Sequence, residues 1–135
     1  MNLSIIKISV FILLICLGQT TMAKEDKQYL LTEKTYNALN TAQELMAAEQ
    51  YSAAEAKLKA LLKQTQSGSY ERAVVQQTLG YLYSSQQDYK KASSYFQQAL
   101  DSNALPKKVS HDLQYNLAQL LLADEQYKAG IAMLE

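Results

Sequence analysis

The chain has 135 residues, with 13 basic and 13 acidic side chains, 48% hydrophobic residues, four glycines, one proline and one cysteine. Balanced charge gives no electrostatic pull on nucleic acid or on an anionic membrane surface, and a single cysteine excludes a disulfide framework. A composition rich in Ala, Leu, Gln, Glu and Lys favours helix almost everywhere and, at this length, one small all-α domain.

The first 23 residues differ in kind from the rest. Lys7 precedes the apolar run Ile8 to Leu17, and Gly18-Gln19-Thr20 leads to the small-residue ending Thr21-Met22-Ala23. This pattern predicts a secretory signal peptide cleaved after Ala23 and hence an exported, periplasmic protein. Counted from Ile5, the apolar stretch is 13 residues, short of the roughly 20 that span a bilayer. The alternative is an uncleaved signal anchoring the chain in the inner membrane. Cys16 follows Ile15, where a lipoprotein signal needs a small residue, which argues against lipidation. Cleavage leaves residues 24–135, with no cysteine and, after loss of Lys7, 12 basic against 13 acidic residues, a net charge of −1.

Beyond the leader, apolar residues recur at three- and four-residue steps, and no segment alternates as a strand would. The pattern predicts helices over about 27–48, 51–64, 70–85, 88–101, 106–123 and 126–135. Ser67-Gly68-Ser69 separates the second from the third, Asp88 is placed to cap the fourth, and Pro106 fits the opening position of the fifth. The short connections predict antiparallel hairpins.

The triplets Glu49-Gln50-Tyr51, Gln87-Asp88-Tyr89 and Glu125-Gln126-Tyr127 recur at a step of 38 residues. A period of this size is the signature of stacked helical hairpins, each of which needs its neighbour to complete its core. Small residues stand where the helices of each pair should cross: Ala42 and Ala54, Gly80 and Ala92, Ala118 and Gly130. Large apolar residues stand at Leu58, Phe96 and Leu134. Tyr51, Tyr89 and Tyr127 are expected to pack each second helix back on the first, with Tyr83 and Phe96 in the core and Tyr95 partly exposed.

Leu79-Gly80, Tyr83, Ala92, Phe96 and Ala99 at this spacing resemble the tetratricopeptide repeat (TPR). The first unit matches through Ala42, Leu45, Tyr51, Ala54, Leu58 and Leu61, the third through Leu117-Ala118, Leu121, Tyr127, Gly130 and Leu134. Units then fall at about 35–66, 73–106 and 111–135, the last incomplete. The step exceeds the family's 34 residues by four, which places the surplus between units. The resemblance implies a right-handed superhelical stack whose concave face is lined by the first helix of each unit. Carried over, that face comprises Tyr36, Leu39, Gln43 and Met46, then Val74, Gln77, Tyr81 and Ser84, then Asp112, Tyr115, Gln119 and Leu122. Tyrosines and amides with few charges suit a protein or peptide partner. The paired Lys, Arg and Asn that clamp a terminal carboxylate are missing.

No residue pattern points to catalysis. His111 is the single histidine, without the partners of a metal site or a catalytic triad, and no glycine-rich loop could cradle phosphate. Lys90-Lys91 and Lys107-Lys108 read as solvated faces. The expectation is therefore a non-enzyme with no cofactor and no metal. Because the third unit stops soon after Leu134, its apolar end is expected to be covered by further repeats, by a partner or by self-association.

Tyr70-Glu71-Arg72-Ala73-Val74-Val75, Gln77-Thr78-Leu79-Gly80-Tyr81, Ala104-Leu105-Pro106 and Tyr115-Asn116-Leu117-Ala118-Gln119-Leu120 resemble exported proteobacterial TPR proteins associated with the TonB energy-transduction system. That likeness implies a scaffold or adaptor in the Gram-negative envelope. The alternatives are a substrate-docking or assembly arm of a longer envelope enzyme and a self-associating structural repeat protein.

Overall fold

Helix starts follow from side chains that can accept the free amide hydrogens of a first turn. Thr32 Oγ1 accepts from the Thr35 N–H at 3.3 Å, Ser69 Oγ from the Arg72 N–H at 3.1 Å, and Asp88 Oδ1 from the Lys91 N–H at 3.1 Å. The computed structural model describes residues 29–124 and 132–134. Among them it contains α1 (Glu33–Ala47), α2 (Tyr51–Gln64), α3 (Tyr70–Ser85), α4 (Tyr89–Asp101) and α5 (Lys107–Ala123), and residues 132–134 are also helical. The segment expected to be a signal peptide, the third triplet with Tyr127, and Gly130 lie outside the described residues.

Helices pack on their sequence neighbours, α1 on α2, α2 on α3, α3 on α4 and α4 on α5, and α1 also touches α3. The two hairpin turns are built alike. The Gln50 N–H donates to Leu45 O at 2.8 Å and the Glu49 N–H to Met46 O at 3.0 Å. Thirty-eight residues on, the Asp88 N–H donates to Tyr83 O at 2.9 Å and the Gln87 N–H to Ser84 O at 3.0 Å. Both are Schellman closures, and both place a non-glycine residue in the left-handed region, Glu49 at φ 58° and Gln87 at φ 61°. The recurring triplet therefore begins at the residue that reverses the chain.

The same step runs through the core. Leu58 and Phe96, Val75 and Leu113, and Leu79 and Leu117 are pairs 38 apart, and all six are essentially inaccessible. Ala42, Ala54, Ala92 and Ala118 are fully buried as well. At Gly80 the neighbour is the ring of Phe96: a Cβ added there would lie 2.2 and 2.3 Å from Phe96 Cδ1 and Cε1. The absent side chain makes room for an aromatic ring, which goes beyond the expected pairing of Gly80 with Ala92.

Polar bonds tie one hairpin to the next. Tyr83 Oη donates to Glu55 Oε1 at 2.7 Å, while its ring stacks on Tyr95 with centroids 5.6 Å apart and lies under the Lys91 ammonium. Lys59 pairs with the same carboxylate. Those bonds, first from Lys59 and then from Tyr83, hold the Glu55 pKa below its ordinary value, whereas burial, followed by the Glu55 bond, pushes the Tyr83 phenol up. Arg72 closes the end of α2 by donating to Leu62 O at 2.8 Å and Thr65 O at 3.3 Å.

Three expectations require correction. The first helix begins at Glu33 instead of about 27, because Thr32 is extended (ψ 153°) and caps the helix. Pro106 stands just outside α5, also extended at ψ 146°, instead of at its first position. Leu134 is 50% exposed, unlike Leu58 and Phe96 at equivalent places.

Candidate functional site

Short antiparallel connections make α1, α3 and α5 run the same way, so equivalent positions on the three helices form rows across them. The row Tyr36, Val74 and Asp112 is exposed at its two ends and half-buried at Val74. In the next row Leu39 is only 5% exposed and joins the core, Gln77 is half-buried and Tyr115 is 56% exposed. Leu39 is therefore removed from the open face: it is aliphatic, and α1 packs on α3 as well as on α2. Gln43, Tyr81 and Gln119 are exposed across all three helices, and Met46, Ser84 and Leu122 are half-buried.

Between α3 and α5 this face deepens into a groove of about 390 Å³ lined by Tyr81, Ser84, Tyr89, Phe96, Asn116, Gln119, Leu120 and Ala123. That size falls within the range of small ligand pockets. Of the sequence-predicted residues, Tyr81, Ser84 and Gln119 come together here. The Tyr81 ring meets Phe96 edge-on, with centroids 5.0 Å apart and planes at 71°, and its hydroxyl accepts from Asn116 Nδ2 at 3.1 Å. Phe96 forms the floor and the tyrosine edge is fixed upon it, which presents a preset aromatic surface beside the amides of Asn116 and Gln119.

Asn116 was not singled out as a site residue from the sequence. Its signal was its place one turn before Leu120, on a helix already assigned to the face, and what made it count was a contact with the preceding unit. Asp112 is the acidic member of the row, and Lys108 Nζ pairs with it at 2.9 Å, so the face carries little net charge. His111 is exposed. Among the described residues no three His, Cys, Asp or Glu side chains gather as metal ligands, and no helix is long and apolar enough to cross a membrane.

Comparisons with protein-family models, curated proteins and solved structures return no match for this chain.

At the other end of the same face, residues 29–32 run past the start of α3. The Tyr29 ring meets Tyr70 edge-on with centroids 5.2 Å apart, and the Thr32 N–H donates to a carboxylate oxygen of Glu71. That backbone bond is the main cause holding the Glu71 pKa below its ordinary value.

Proposed function

We propose that the chain is a TPR-type scaffold that holds an extended or helical peptide of a protein partner along α1, α3 and α5, without catalysing a reaction. The observation that carries the reading is the exposed set Tyr36, Tyr81 and Tyr115 on three parallel helices, next to the amide-lined groove whose floor is Phe96. Aromatic side chains with polar tips, flanked by Gln43, Asn116 and Gln119, recognise a peptide through ring contacts and backbone hydrogen bonds. The low net charge favours a neutral segment over a terminal carboxylate.

The location belongs to the same proposal: a periplasmic adaptor, accessory to TonB-type energy transduction. It is supported by the leader pattern and by the sequence segments that resemble exported TPR proteins.

Peptides selected from a random library on the immobilised protein test the binding reading. Tyr81→Ala and Tyr115→Ala should each weaken a selected peptide by about 5- to 30-fold, the usual consequence of truncating an aromatic anchor. Lys57→Ala, exposed on α2, should leave it unchanged. Failure to select any peptide, or indifference to both tyrosine changes, would overturn the reading. Cell fractionation that retains the unprocessed chain in the cytoplasm would remove the periplasmic part.

A further inference from the structure

Residues 29–32 are not helical and are anchored at particular points, although Tyr29, Leu30 and Thr32 are exposed. Thr32 caps α1 and Leu31 packs against the core, which fixes one end of the segment. Tyr29 then lies against Tyr70, whose helix carries Val74, Gln77 and Tyr81 at successive turns of the same face. Tyr29 also borders a space of about 380 Å³ lined by Leu105, Lys107, His111 and Gln114 at the start of α5. The segment thus passes from α1 across the first turn of α3 to the first turns of α5.

It is held in the manner of a ligand: an aromatic ring edge-on to a tyrosine, and a backbone N–H donated to the Glu71 carboxylate. It is also held lightly, because Leu30 is 68% and Tyr29 39% exposed.

We propose that residues 29–32 are a built-in occupant of the surface formed by the first turns of α3 and α5, and that the external partner is an extended peptide whose aromatic residue displaces Tyr29 from its seat on Tyr70 and the start of α5. The inference rests on the peptide-binding reading above and adds to it the form of the ligand and a competitor within the chain. Tethering gives the segment an effective concentration of order millimolar, so a partner must out-compete it, and removing Tyr29 should raise the apparent affinity.

The test uses peptides selected from a random library on the full-length Tyr29→Ala protein, which keeps Leu31 and the Thr32 cap. They should carry an aromatic residue, bind the unaltered protein at least tenfold more weakly, and lose binding when Tyr70→Ala is added to Tyr29→Ala. The chain has no tryptophan, so Tyr29→Trp supplies a single reporter whose emission should shift to the red as a selected peptide saturates the protein. Equal affinity for the Tyr29→Ala and unaltered proteins, or binding without an emission shift, would overturn the built-in occupant. Sensitivity to Tyr115→Ala in that case leaves the groove reading standing. If no peptide is selected on either protein, both fall.

Discussion

The first hairpin, α1 with α2, and the second, α3 with α4, solve the same crossing differently. At equivalent positions the first has Ala42 and Leu58, and the second has Gly80 and Phe96, all of them buried. One methyl is lost on one helix while an aromatic ring replaces an aliphatic chain on the other. Combined size is what the crossing selects, as expected for interiors packed near crystal density. The hairpins also differ in enclosure. Three residues of α1 are buried against eight of α3, because α3 touches α1, α2 and α4 whereas α1 touches α2 and α3.

The largest test of this difference is truncation of the large member. Phe96→Ala should destabilise by about 3–5 kcal/mol, and Leu58→Ala by about 2–3 kcal/mol because the outer hairpin can relax around the gap. Urea unfolding of both variants checks the order, and equal losses would remove the distinction. Next comes the small member. Gly80→Ala pushes a methyl into the Phe96 ring and should cost about 1–3 kcal/mol despite alanine's better helix propensity. Adding Phe96→Leu, which recreates the first hairpin's combination, should recover part of that loss in a double-mutant cycle. Strict additivity would show that the two positions do not share space.

A smaller effect is expected at the seam between hairpins. Tyr83→Phe removes the hydroxyl donated to Glu55 and should cost about 1 kcal/mol. Smaller again, and opposite in sign, are Glu49→Gly and Gln87→Gly. Each relieves a left-handed non-glycine residue, and a gain of about 0.5 kcal/mol in thermal unfolding should be similar in both turns.

Acid should act through the same contacts. Glu55 and Glu71 have pKa values lowered from 4.5 in the folded chain. Each therefore contributes stability that is fully present above that ordinary value and is lost as pH falls through the depressed one. Stability measured against pH should decline below about 4.5, less steeply in Glu55→Gln, with screening keeping that change small because Glu55 is partly exposed.

Helix identity and the 38-residue step were legible because they depend on local chemistry: caps, turn residues and the spacing of apolar side chains. The turns show why, since Glu49 and Gln87 are read as a recurring motif and serve as the same structural hinge. The first helix start is hidden in the sequence because Thr32 competes with a run of good helix formers, and a carboxylate 39 residues away holds its backbone N–H. The groove was legible as rows of residues but not in its depth. Leu39 is drawn inward and Asn116 brought to Tyr81 by contacts between units, and a periodic pattern shows which positions are equivalent without showing how each is covered.

The matching closures after α1 and α3 make the joints before Tyr51 and Tyr89 interchangeable. The stretch from Tyr51 to Asp88 is consequently a transferable cassette, closed at its end by the same hydrogen bonds that close the turn before it. Splicing in a second copy should lengthen the stack by one register and add a further Tyr81 to the proposed ligand face, provided that the added copy carries Leu58→Phe to fill the new crossing against Gly80.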